Sequence, residues 1–273
     1  MKKIISNRIE KKFLELKKEK RKALVSFITA GDPNLKTSQK IMNLLPSFGT
    51  DIVEIGIPFS DPMADGPTIQ KSSQRAIKSG TNLKKTLEIV KNFRTIHNHT
   101  PVVLMGYFNP IFQFGLVNFF SKASRVGVDG LIIVDLPPEE NQLIENLTKK
   151  FNIHNIRLLT PTSDKGRLKK ILKSTSGFLY YVSIMGITGT KKPSISSVKK
   201  SITQIKKHTN LPVLVGFGIN NSRQVYEINK FADGCVVGSA IIKILEKSLI
   251  RMFTEKEMLK KINEFLLKLK KAC

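Results

Sequence analysis

The sequence predicts an α/β chain folded as a (β/α)8 TIM barrel with an extra N-terminal helix and a C-terminal helix, residues 1–273 forming one domain. Three observations carry this. Eight short runs rich in β-branched residues recur, each closed by a polar or glycine-rich loop. Amphipathic stretches of helical period lie between them, with strand-to-strand spacing of about 25 to 50 residues, as βα units require. The first strand-to-helix turn, "TAGDPN" (Thr29–Asn34), is not the GxGxxG of the rival doubly wound dinucleotide fold.

In chain order, "RIEKKFLELKKEKR" precedes the first strand and is expected to cap the barrel floor. The strand runs are Ala23–Thr29, Asp51–Ile57, Pro101–Tyr107, Gly130–Leu136, Asn155–Thr160, Phe178–Ser183, Leu211–Phe217 and Gly234–Gly238. Continuous apolar runs of this length suit parallel strands buried on both faces. Helices are expected over Leu35–Phe48, Leu83–His97, Ile111–Arg125, Pro138–Lys150, Lys165–Ser174, Ser196–His208, Ser222–Phe231 and Ala240–Lys247. "TEKEMLKKINEFLLKLKK" closes the chain.

Composition excludes several classes. Cys235 and Cys273 are far apart and form no CxxC, which fits a reduced cytoplasmic protein without structural disulfides or zinc. No stretch reaches the ~18 apolar residues of a membrane span, and the N-terminus lacks a secretory apolar run. The net charge of +25 raises nucleic-acid binding as an alternative. The lysine pairs are scattered, however, mostly over the outer helices, with no aromatic-interleaved basic stripe. A solvated surface is the better reading, since clustering marks a nucleic-acid footprint.

In such barrels chemistry sits at the C-terminal strand ends. Side chains alternate along a strand, so in "DIVEIGI" Val53, Ile55 and Ile57 suit the helix layer and Glu54 should face the interior. A carboxyl buried there is expected to bind its proton more tightly and to work as an acid/base near neutral pH. The alternative is a structural ion pair with Arg157. The following loop, "PFSDPMADGP", is stiffened by Pro58, Pro62 and Pro67 and holds Asp61 and Asp65; an ordinary turn reads the same. Strands seven and eight end in "VGFGINN" and "VVGSAIIKILE". Gly216, Gly218, Gly238 and Ser239 there suit an anion held by backbone N–H groups at a helix N-terminus. "SIMGITGTKKPS" (Ser183–Ser194) has the composition of a lid or of a plain surface loop.

With those pieces assembled, the chain resembles the tryptophan synthase α-subunit family. "EIGIPFSDPMADGPTIQ" is similar to that family's most distinctive motif, and "FITAGDP", "LMGYFNPI", "GVDGLIIVDLPPEE", "GITGT", "GFGI" and "GSAIIK" follow in matching order over nearly the whole chain. The resemblance implies a lyase that cleaves indole-3-glycerol phosphate to indole and glyceraldehyde 3-phosphate. It implies Glu54 as acid/base and Asp65 as the carboxylate holding the indole N–H. Phe27, Ile69, Tyr107 and Tyr180 would surround the substrate, and Thr188 would meet Asp65 on lid closure. Gly189, Gly218, Gly238 and Ser239 would hold the phosphate. No cofactor is implied in this chain; pyridoxal phosphate belongs to a partner β subunit, in an α2β2 assembly to which indole passes. Neither nucleic acid nor membrane is implied as a partner. The lid departs from the family at Ile184-Met185, where a small hydroxyl residue is expected near Met185, and Asp61 receives no catalytic role. Two further alternatives are another barrel acting on an indole- or imidazole-glycerol phosphate and a non-catalytic subunit that activates its partner.

Overall fold

The computed structural model describes residues 7–183, 194–216 and 218–273. Its strands are β1 (Ala23–Thr29), β2 (Ile52–Gly56), β3 (Val102–Gly106), β4 (Gly130–Ile133), β5 (His154–Asn155), β6 (Arg157–Leu159), β7 (Leu179–Val182), β8 (Val213–Gly216) and β9 (Gly234–Val237). They form one parallel sheet in the order β5-β4-β3-β2-β1-β9-β8-β7-β6. β5 and β6 are two halves of the fifth barrel strand. The first half pairs with β4 and the second with β7. At the break, Ile156 donates to Leu131 of β4 at 2.9 Å while its side chain joins the barrel interior. Strand tilt makes one strand change partners along its length, and this is how the barrel closes.

Alternation sorts the apolar residues into two layers. Ile52, Val103, Ile132, Phe178, Leu214 and Val236 fill the interior. Val53, Ile55 and Ile57 join the cluster between strands and helices, as the sequence pattern requires. The first helix, α1 (Arg8–Lys18), caps the floor as expected: Ile9 and Leu16 are buried in the interior cluster. Its Asn7 and Glu10 form a reciprocal capping box that fixes where it begins.

The remaining helices are α2 (Leu35–Leu44), α3 (Pro67–Lys78), α4 (Leu83–Arg94), α5 (Phe108–Gln113), α6 (Leu116–Val126), α7 (Gln142–Phe151), α8 (Lys165–Lys173), α9 (Ile195–Lys206), α10 (Ser222–Asn229), α11 (Ser239–Ile250) and α12 (Glu255–Lys270). Three departures from the sequence reading have local causes. α2 stops short of Phe48 because Pro46 has no N–H to continue the helical ladder, although Leu45 before it keeps helical angles. The stretch expected to be one helix over Ile111–Arg125 is two, divided at Gly115, whose φ of 83° is outside the helical region. The sequence reading had no helix at α3. Its Gly66-Pro67 start looks like more loop, yet proline at the first helical position is a start signal.

Candidate active site

Glu54 lies on β2 with its side chain toward the barrel interior and is 1% exposed. Its Oε2 meets no hydrogen-bond partner among the described residues. Burial, and after it the charge of Asp65, pushes the carboxyl up to about 8. A structural ion pair with Arg157 does not form. Arg157 donates to Leu136 O at 2.5 Å and to Asn141 Oδ1 at 2.7 Å instead. Among the described residues no cation pairs with Glu54, although the chain carries +25.

Asp65 ends the proline-stiffened loop just before α3. Its N–H donates to Pro62 O at 3.0 Å, and Gln70 of α3 donates to its carbonyl at 2.9 Å. Tyr107, immediately after β3, donates its hydroxyl to Asp65 Oδ2 at 3.1 Å and accepts from Ala64 N at 3.0 Å. The Tyr107 ring rests against Phe59, centroids 5.1 Å apart. One phenol thus clamps both the loop and its carboxylate. Burial pushes Asp65 up to about 6, opposed by the Tyr107 hydrogen bond.

Phe27, Ile69, Tyr107, Met105 and Val134 line one cleft with Asp65, an apolar slot with a carboxylate in its wall. The strand-end glycines shape it. A Cβ on Gly56 would lie 2.7 Å from the Phe27 ring, and one on Gly238 would lie 3.1 Å from Phe27 Cβ. Tyr180 of β7 packs on the interior cluster, and a Cβ on Gly216 would meet its hydroxyl at 2.4 Å. Burial, with the charges of Glu54 and Asp65, holds the Tyr180 phenol firmly protonated. Asp61 is exposed; its carboxylate accepts from the neighbouring Ser60 hydroxyl and its carbonyl from Met63 N at 2.9 Å.

On the adjoining rim, β8 and β9 pair with Gly216 opposite Val236, so the loops that follow are neighbours. Gly218 takes φ 42° and is exposed. Gly238 is the N-cap of the 12-residue α11 and supplies no side-chain cap; Ser239 is the first helical residue. The N–H groups of that first turn have no intrahelical acceptor, so an anion could be met there without lysine. Thr188 and Gly189, with Ile184 and Met185, lie outside the described residues.

Sequence reasoning overlooked Thr29 and the helix that carries Ile69. Thr29 shares the inward side of β1 with Phe27, two residues away, and lines the same cleft. The alternation that turned Glu54 inward would have found it.

The chain matches the family model "Tryptophan synthase alpha chain" over residues 13–273. The chain belongs to that family. Its backbone is similar to the tryptophan synthase subunit alpha of Legionella pneumophila str. Paris, with 36% identity, a TM-score of 0.90 and 98% of each chain covered. A protein of Aquifex aeolicus VF5 is 37% identical at a TM-score of 0.88, over 98% of this chain and 99% of that one. A chain of tryptophan synthase from M. tuberculosis, in an aminoacrylate-bound form, is 28% identical at 0.86, over 98% and 99%.

Family membership carries the reaction. The α subunit of tryptophan synthase is a carbon–carbon lyase that cleaves indole-3-glycerol phosphate to indole and glyceraldehyde 3-phosphate. It pairs with a β subunit, to which pyridoxal phosphate belongs; the α subunit carries no cofactor. Among the described residues no cluster of His, Cys, Asp and Glu could hold a metal, and no helix is long and apolar enough to cross a membrane.

Proposed function

We propose that Glu54 and Asp65 divide the retro-aldol cleavage between them, with opposite protonation states. The carrying observation is a buried and a half-buried acid, with no cation paired to either among the described residues, one pushed up to about 8 and the other to about 6. Near pH 7 Glu54 holds its proton and Asp65 has lost its own. Two titratable groups driven apart by their surroundings make an acid and a charge stabiliser.

In this reading Glu54 delivers its proton to indole C3. The ring becomes cationic, and Asp65, accepting from the indole N–H, stabilises that charge in a cleft that excludes water. The Glu54 carboxylate then takes the proton of the chain hydroxyl as the carbon–carbon bond breaks, leaving indole and an aldehyde. Phe27 and Ile69 sandwich the ring. Tyr107 does more than line the pocket, since it fixes the Asp65 carboxylate. Tyr180, as a neutral phenol, covers the glycerol side. Gly218, Gly238 and Ser239, with Gly189, receive the phosphate. We assign the chain, as one domain, to an α2β2 assembly in the cytoplasm.

The test is indole release from indole-3-glycerol phosphate with a β subunit present, for the parent, Glu54→Gln and Asp65→Asn. Losses of about 10² or more are expected for each variant, as for removal of a general acid/base or a charge-stabilising group. An inactive parent sinks the reading, and full activity in Glu54→Gln sinks the mechanism.

A further inference from the structure

The Thr29 hydroxyl has no task in the fold. Thr29 is 2% exposed at the C-terminal end of β1, and its Oγ1 meets no hydrogen-bond partner among the described residues. Buried hydroxyls are nearly always paired, so an orphan lining a ligand cleft asks for a partner that arrives with the ligand. Opposite it in β2 stands Gly56, which has no side chain to cover it.

Strand order says which part of the ligand arrives. β1 lies between β2 and β9. The residues that would hold the indole ring, Asp65, Ile69 and Tyr107, follow β2 and β3, whereas the Gly238–Ser239 cradle follows β9. A molecule with its ring on one side and its phosphate on the other must lay its three-carbon chain across the end of β1. That chain carries two hydroxyls. Glu54 takes the proton of the one beside the breaking bond. For the other, next to the phosphate-bearing carbon, the assigned residues offer only the Tyr180 phenol on β7, whereas Thr29 stands at the end of β1 itself.

We propose that Thr29 Oγ1 hydrogen-bonds this second chain hydroxyl and is a specificity-determining contact for the glycerol moiety. The inference rests on the substrate placement given above. The contact holds the chain so that the carbon–carbon bond faces Glu54, and it discriminates against ligands that lack the hydroxyl, because an unpaired hydroxyl is then left buried.

The experiment compares Thr29→Val, which deletes the hydroxyl at nearly constant shape, with Thr29→Ser, which keeps it, both assayed with the β subunit. Thr29→Val should lower kcat/KM for indole-3-glycerol phosphate about tenfold, as the loss of one buried hydrogen bond allows, and Thr29→Ser should stay within about twofold. Inhibition by indole-3-propyl phosphate, which keeps ring and phosphate but has no chain hydroxyl, should change less than about twofold in either variant. The melting temperature of Thr29→Val should hold or rise, since it removes an unpaired buried polar group. Unchanged kcat/KM in Thr29→Val overturns the proposal. So does an equal loss of indole-3-propyl phosphate binding, or a melting temperature lower by more than about 5 °C, which would mean the hydroxyl is paired within the fold. An inactive parent strikes at the substrate placement itself; an active parent with unimpaired Thr29→Val strikes at this contact alone.

Discussion

The barrel keeps acids at both ends, buried or half-buried, and meets their charge in opposite ways. At the floor, Asp51, Asp129 and Asp233 each precede a strand and accept from a backbone N–H on the neighbouring one: Leu24 at 2.9 Å, Val102 at 2.8 Å and Val213 at 2.9 Å. Each is also met by two cations. Asp51 has Lys270 at 2.7 Å and Arg21 at 3.2 Å, Asp129 has Arg94 at 2.6 Å and Arg8 at 2.9 Å, and Asp233 has Lys206 at 2.8 Å and Lys22 at 3.6 Å. At the mouth, Glu54 and Asp65 are paired with no cation among the described residues, and both hold protons more tightly than free carboxyls. Burial pushes Asp129 at the floor the same way, but there Arg94, Arg8 and the Val102 N–H oppose it. The same side-chain chemistry is structural where its charge is answered and, in the proposed mechanism, reactive where it is not.

Asp129→Ala breaks the floor most severely. It leaves the Val102 N–H unpaired and takes the counter-charge from Arg94, which keeps only carbonyl acceptors, and from a half-exposed Arg8; removal of one partner of a buried pair costs about 3–5 kcal/mol. Urea unfolding should register that loss, while turnover per folded molecule stays near the parent's. A cost below about 1 kcal/mol would erase the distinction between the two ends.

Glu54→Gln should show the reverse pattern, with activity down about 10² or more and stability kept or improved. The sign follows from linkage. The folded carboxyl titrates near 8 against an ordinary value of 4.5, so between those pH values the folded state binds the extra proton. Stability is full below the ordinary value and falls as pH rises toward about 8. Glu54→Gln should flatten that slope in unfolding experiments run from pH 5 to 8. A parent whose stability rises over this window would contradict a proton-holding Glu54.

The proposed mechanism needs Glu54 protonated and Asp65 ionised. The parent's kcat/KM should therefore be bell-shaped, with limbs near about 6 and about 8. These are properties of the interacting pair, and both limbs should move when either acid is replaced. A flat profile across that range would remove the division of labour.

Much of this contrast is legible in the sequence. Alternation in "DIVEIGI" turns Glu54 inward, and the motif around it identifies Asp65. The eight strand runs all form strands, because buried β-branched runs have few other solutions. What escaped depends on pairings across the chain. α3 hides behind Gly66-Pro67, and it is held by a contact no local pattern contains: Arg75 meets the buried Asp32 of the first βα loop at 2.7 Å. That Arg157 would turn to Leu136 and Asn141 rather than to Glu54 depends on which strand-end groups need donors, and only the closed barrel sets that. The clamp by Tyr107 is likewise a meeting of residues 42 positions apart.

That clamp gives the smallest and sharpest test. Tyr107→Phe keeps the ring in the cleft and against Phe59, and removes only the hydroxyl that donates to Asp65 and accepts from Ala64. One lost hydrogen bond to a charged acceptor is worth about 1.5–3 kcal/mol at most, and water entering beside the half-buried Asp65 offsets part of it. A loss of about three- to tenfold in kcat/KM is expected at pH 7.5. The pH profile distinguishes its cause. The Tyr107 hydrogen bond works against burial and lowers the Asp65 value, so without it that carboxyl holds its proton to higher pH. The acidic limb should then move upward from about 6 while the alkaline limb, set by Glu54, shifts far less. If Tyr107 only lined the pocket, activity would fall equally at all pH values and the limb would stay where it is.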